Sequence, residues 1–368
     1  MKRKTGTEIC LRILSLAFAA VMLIGASGCG LITISDLINA ISTDAPSLST
    51  QDPGPNGTDP GNNGRVEEKK TYSVSFDPDE VFPDELSKEA AELIDVSIMN
   101  AVALMNSLGD RFIKGEPEFL DYSTLPKERS KIKDELALLF YDEIERCASR
   151  FLDYTIRHDD YNVDLFYPIV EATDALRIDR PDLYLYCHMK RFTEGYQDSY
   201  KLAYYMPNEW LTKTTDDIEA VKRAVDVYYK VVDRIIAKMP AGLDNYEKCC
   251  YFAFLIASAA VYEDEQASVF DFYQAYNVLV KHEAVCKGYA DAFLELCKHE
   301  GILCKVITGE APGGGRHAWN MIEADGTAYY IDVTWFDVET PSADYRAFNQ
   351  EYLFMTEEDL LWHGYVPD

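Results

Sequence analysis

Relative to its opposite, positive charge is what this sequence has least of. Thirty-five Lys and Arg stand against 63 Asp and Glu, for a formal net charge of −28 over 368 residues. The deficit deepens after residue 29, because Lys2, Arg3, Lys4 and Arg12 precede that point with only Glu8 against them. So acidic a body repels phosphate backbones, which excludes nucleic acid as a partner, and it favours solubility. The nine cysteines contain no CxxC pair and no spacing typical of a zinc site. His158 and His188 have no carboxylate or Cys partners at metal spacing, and no acidic loop has calcium-ligand spacing. The sequence therefore calls for no metal and no cofactor.

What is present begins with a targeting pattern. Lys2, Arg3 and Lys4 form a basic start, an apolar stretch runs over residues 9–24 interrupted by Arg12, and Ala26-Ser27-Gly28-Cys29 ends it. This resembles a bacterial lipoprotein signal, which implies lipidation at Cys29, export, and anchoring on the outer face of the cell membrane. An ordinary signal peptide or membrane anchor accounts for the same run without a role for Cys29. Residues 43–70 are dense in Pro, Gly, Asn and Asp. They cannot bury apolar surface, which predicts a disordered tether. The expected organisation is 1–29 signal, 30–70 tether, 71–210 an α-rich N-terminal domain, and 211–368 a catalytic domain.

The hydrophobic fraction of 48% suffices for real cores in two domains. Tyr72, Val74 and Phe76 alternate, as in a short strand or extended arm. Helical periodicity follows over 83–108, 127–152 and 161–178. Strands are expected after Arg180-Pro181 and around 196–206. Asp216 with Glu219 signals a helix running to about 238. Residues 245–261 form a nearly all-apolar helix, buried on most sides, and a short helical piece is expected near 273–280. Cys147, Cys187, Cys249, Cys250, Cys297 and Cys304 read as small buried hydrophobes in apolar helical patterns. A disulfide between some of them is open to an exported protein.

The chemistry gathers in three short stretches. Val285-Cys286-Lys287-Gly288 places a Cys where a loop becomes a helix, with Ala290, Phe293, Leu294 and Cys297 at helical spacing behind it. A helix N-terminus offers unpaired N–H groups and the positive end of the dipole. Both favour thiolate, and the N–H groups can also stabilise an oxyanion. Alone, a Cys in such a place is more often packing. Residues 302–308 read as a strand, 309–315 as a flexible glycine loop, 317–323 and 328–335 as the two strands of a hairpin turning at Asp325-Gly326. With that turn, Ala324 pairs with Thr327. Trp319 then lies opposite Asp332 and His317 opposite Thr334, so His317 and Asp332 are diagonal neighbours on one sheet face. Asn320 points to the other face and reads as structural.

The segments from Ala284 to Phe293, Gly301 to Gly309, His317 to Gly326 and Tyr330 to Trp335 together resemble the core of the transglutaminase-like superfamily. Asp179 to Tyr184, Tyr246-Glu247-Lys248 and Tyr352 to Thr356 extend the resemblance. It departs at Ala253-Phe254, where related bacterial chains often carry a His-Asp pair. The resemblance implies an α+β, papain-like fold in which a nucleophile helix packs on an antiparallel sheet. It also implies a triad of Cys286 as nucleophile, His317 as general base and acid, and Asp332 as the group that orients His317. The Cys286 backbone N–H would be one oxyanion donor, with Gln274 or Tyr276 supplying a second. Trp319 and Trp335 would wall the substrate pocket. The implied function is that of a membrane-tethered, extracytoplasmic cysteine enzyme acting on protein or peptide amides through a thioester. A binding or scaffold protein that keeps the fold without turnover is the alternative.

Overall fold

The computed structural model describes residues 70–76, 88–157, 160, 164–194, 197–207, 214–263, 275–337 and 348–368. The signal and Cys29, nearly all of the tether, and Gln274 lie outside the described residues. In chain order the regular elements are α1 (Lys88–Ser107), α2 (Glu135–Ala148), β1 (Thr155–Arg157), α3 (Phe166–Asp179), β2 (Cys187–Glu194), β3 (Gln197–Tyr204), α4 (Ile218–Ala237) and α5 (Asn245–Ala259). There follow β4 (Val261–Tyr262), a π-turn (Asn277–Lys281), β5 (Glu283–Ala284), α6 (Cys286–His299), β6 (Cys304–Glu310), β7 (Arg316–Ala324), β8 (Thr327–Ile331), α7 (Val333–Phe336), α8 (Glu357–His363) and β9 (Val366–Pro367).

The arm at Tyr72, Val74 and Phe76 is extended but joins no sheet. Its side chains pack on the core, and the Tyr72 hydroxyl donates to Glu247 Oε1 at 2.6 Å. Helix α4 buries Val221, Val225, Tyr228, Val232 and Ile235 on one face, the stripe its periodicity predicts. Its cap is Asp217, one residue later than expected, because the Asp217 carboxylate accepts from the Ala220 N–H at 3.0 Å. Helix α5 is the centre of the molecule. It opens on a capping box formed by Asp244 and Glu247, and Cys249 to Ile256 are fully buried. Each large apolar side chain so buried contributes about 1.5–3 kcal/mol before entropy is counted. Ala253 and Phe254 belong to this core, with Phe254 stacked on Phe336 of α7 at 5.6 Å.

β4 and β5 pair in parallel as a small two-stranded sheet, and two antiparallel sheets hold the other strands. β1, β3 and β2 form one, in that order; β8, β7, β6 and β9 form the other. A buried core runs without a break from Ala91 on α1 to Tyr365, through both the N-terminal helices and the second sheet. The Phe119 and Asp121 backbones bridge to Ala324 and Ile302, so a segment before residue 210 borders the second sheet directly.

The helix expected over 127–152 spans only Glu135–Ala148, and three boundaries nearer the hairpin and Cys286 also differ from the sequence expectation. β6 continues through Gly309, which pairs with His317, so the loop starts later, and Gly313, Gly314 and Gly315 carry its positive φ values. The returning strand of the hairpin ends at Ile331, and residues 333–336 coil into α7, because Asp332 caps that turn by accepting from the Trp335 N–H at 3.1 Å. The helical stretch expected at 273–280 is the π-turn, closed by His282 in the left-handed region at φ 62°.

Candidate active site

The hairpin sets the register. Asp325 (φ 52°) and Gly326 (φ 71°) make the two-residue turn, and Ala324 pairs with Thr327. The ladder runs back to Asn320 opposite Ile331. Asp332 is the next residue, just past the ladder, where the chain leaves the strand to enter α7. His317 therefore does not face Thr334 across a strand, yet the parity argument still delivers the pair. His317 Nε2 lies 2.6 Å from Asp332 Oδ2.

Cys286 is the first residue of the 14-residue helix α6, and no side chain caps that helix. Its first-turn N–H groups therefore have no partner within the helix. The helix docks on the sheet through a small patch in which Cys286, Ala290 and Ala318 meet, flanked by Tyr262 and Val306. Asn320, on the strand face opposite His317, donates from Nδ2 to the Ala290 carbonyl at 2.9 Å. It ties β7 to α6, the structural role that strand parity suggests.

Cys286 lies close enough to His317 to act on its protonation. With Nε2 taken by Asp332, the ring has Nδ1 left for the thiol. Burial works against an imidazolium at His317. The Asp332 charge, its hydrogen bond and the Cys286 contact outweigh that, and together they raise the His317 pKa to about 10. His317 and Asp332 are both buried, Asp332 completely. A third group reaches the same carboxylate: the Tyr365 hydroxyl donates to Asp332 Oδ2 at 2.6 Å. Sequence reasoning misses this residue, since it lies 33 positions from Asp332 and outside every motif.

Trp319 and Trp335 both flank the imidazole. Trp319 stacks on it at 6.0 Å and is fully buried behind it. Trp335 meets it edge-on at 6.4 Å and is only half-buried. Of the two, Trp335 is the one that keeps exposed surface beside the imidazole. Tyr276 is stacked on Tyr228 of α4 at 6.1 Å, within the helical core, so packing accounts for it. All seven described cysteines are free and buried. Cys286, at 9%, is the most exposed of them. Burial pushes the thiols of Cys147, Cys187, Cys250 and Cys297 up, away from thiolate. Among the described residues, no group of three or more His, Cys, Asp and Glu could hold a metal ion. No helix of the described residues is long and apolar enough to cross a membrane.

Chemically, a thiol at a helix N-terminus in contact with an imidazole that is itself held by a buried carboxylate can exist as a thiolate–imidazolium pair. Residues 230–340 match the model of the transglutaminase-like superfamily, and the chain carries a transglutaminase-like domain there. Two similar curated proteins are the kyphoscoliosis peptidases of Mus musculus and Homo sapiens. The mouse protein is 26% identical over 132 residues, 32% of this chain and 19% of its own length; the human protein is 27% identical over 133 residues, 33% and 19%. The chain thus spans about a fifth of the curated relatives it matches. Among solved structures, the crystal structure of a TGase matches at 13% identity and a TM-score of 0.28, covering 42% of this chain and 45% of that one.

Proposed function

We propose that this protein is a cysteine acyl-transfer enzyme of the transglutaminase-like class, exported and tethered to the membrane by a lipid at Cys29, and acting on protein or peptide amides. The observation that carries the reading is the convergence of Cys286, His317 and Asp332 from three separate elements into one buried cluster, in which His317 is hydrogen-bonded to Asp332.

Cys286 attacks the amide carbonyl as thiolate, and its Sγ–C bond forms as the carbonyl π pair moves onto oxygen. The Cys286 backbone N–H, unpaired at the first turn of α6, is directed at that oxyanion. His317 carries the proton lost by the thiol and passes it to the departing nitrogen, so the C–N bond breaks to give a thioester and a neutral amine. Water or a second amine, deprotonated by His317, then attacks the thioester and releases Cys286. Asp332 holds the imidazole in orientation throughout.

Iodoacetamide labelling tests this directly. Wild type is expected to label rapidly and selectively at Cys286, and His317→Ala to slow that labelling by at least about tenfold. A Cys286 that reacts no faster than an unfolded-peptide thiol would overturn the reading.

A further inference from the structure

Asp332 Oδ2 receives two donors at the same distance. His317 Nε2 and the Tyr365 hydroxyl each lie 2.6 Å from it. The other oxygen, Oδ1, is occupied by the Trp335 N–H. Tyr365 is 1% exposed, its ring set against Trp319 at 4.9 Å and against His317 at 6.2 Å. Burial and then the Asp332 charge hold its phenol far above the ordinary value, so it remains a donor at any physiological pH.

Several features of the chain hold Tyr365 there. Gly364, at φ 90°, closes α8 and turns the backbone. Val366 and Pro367 then add a strand to the free edge of β6. Asp368 grips Arg316, the residue before His317, with both carboxylate oxygens, at 2.5 and 2.6 Å, and also accepts from Thr308 at 2.7 Å. Gly309 makes the close passage possible: a Cβ there would run into the Val366 carbonyl and lie 2.8 Å from the Trp319 ring. Residues 364–368 thus strap the His317 strand and the Asp332 carboxylate together.

We propose that Tyr365 is a positioning residue for the acyl-transfer chemistry: its hydroxyl pins Asp332 Oδ2 against His317 Nε2 and tempers the basicity of that shared oxygen. The proposal rests on the cysteine-nucleophile reading above. A hydrogen bond to a carboxylate stabilises its charge. Each donor on Oδ2 therefore weakens the oxygen as an acceptor for the other. Tyr365 fixes where the carboxylate points and sets how firmly His317 keeps its proton. The titratable groups around this pair are Cys286 from α6, Asp332 from the β8–α7 junction, Tyr365 after α8, and Tyr352, whose phenol also feels the Asp332 charge.

The test is the pH dependence of Cys286 carboxymethylation by iodoacetate in the full-length protein. This reagent is an anion and is drawn by the His317 imidazolium, so its rate falls as His317 loses its proton. Tyr365→Phe keeps the ring and removes the donor; it is expected to move that alkaline limb up by about one pH unit and to lower the plateau rate about tenfold through lost orientation. Replacing Tyr365 with 3-fluorotyrosine, which keeps the fold and strengthens the donor, is expected to move the limb down. A limb that stays in place in both proteins overturns the positioning role, even if Tyr365→Phe lowers thermal stability. A wild-type thiol with no imidazolium-dependent limb overturns the cysteine-nucleophile reading itself, and the role of Tyr365 with it.

Discussion

His317 and Asp332 meet through a 2.6 Å contact between Nε2 and Oδ2, with 7% and 0% of their surfaces exposed. Neither could be buried alone as an ion without large cost; together they satisfy one another. Asp332→Asn keeps the shape and removes the charge. We expect it to lower the His317 pKa well below 10 and to slow Cys286 turnover or labelling by about a thousandfold. A pH–rate profile of the variant checks both at once.

Asp332 is also the cap of α7. Asn can still accept from the Trp335 N–H, whereas Ala cannot. Asp332→Ala should therefore be less stable than Asp332→Asn by about 1 kcal/mol for the cap alone, and by more because the Tyr365 hydroxyl loses its buried acceptor in the alanine variant. Urea midpoints of the two variants measure the difference; equal midpoints would remove the capping role.

Gly309 lies in a strand, where a residue other than glycine would ordinarily be welcome. Here the Val366 backbone and the Trp319 ring occupy the space a side chain would need. Gly309→Ala is expected to cost about 1–3 kcal/mol and to loosen residues 365–368. Hydrogen exchange at the Asp368 amide, which donates to the Thr308 carbonyl, reports the loosening.

His282 and His317 link stability to pH with opposite signs. Burial lowers His282 to about 4, and its Nδ1 donates to the Ala259 carbonyl at 3.1 Å. The unfolded chain binds that proton more readily. The contribution of His282 is therefore whole above pH 6.5 and is lost as pH falls towards 4, by an amount on the order of 2 kcal/mol. His317, raised to about 10, contributes fully below pH 6.5 and loses that contribution as pH rises through 10. His282→Asn accepts the left-handed backbone and does not titrate. Its deficit against wild type should shrink between pH 7 and pH 4; a constant deficit would place the acid sensitivity elsewhere.

The proposed export and lipidation rest on the sequence around Cys29. Metabolic labelling with a fatty-acid analogue is expected to mark the wild-type chain expressed in a bacterium and not Cys29→Ser, which should leave the membrane fraction. Equal membrane recovery of both would replace the lipid by an uncleaved anchor.

The sequence by itself determined the helix that Cys286 opens, the hairpin and its register. Each of these depends on short-range patterns: a 3.6-residue apolar period behind Cys286, a period of two along β7 and β8, and an Asp-Gly turn that fits only one pairing. It also determined that His317 and Asp332 share a side of that hairpin. It misplaced the end of β8, because Val333-Thr334-Trp335 are β-formers whose preference is overridden when Asp332 caps the following turn. Tertiary structure alone decided the rest. Tyr276 became core by stacking on Tyr228, and Trp335 rather than Trp319 was left half-open beside the imidazole. Tyr365 came to Asp332 only because a strand from beyond α8 adds to β6 over a glycine. Hydrogen bonds between residues 33 positions apart leave no periodic trace in a sequence, since nothing local in the chain has to change to allow them.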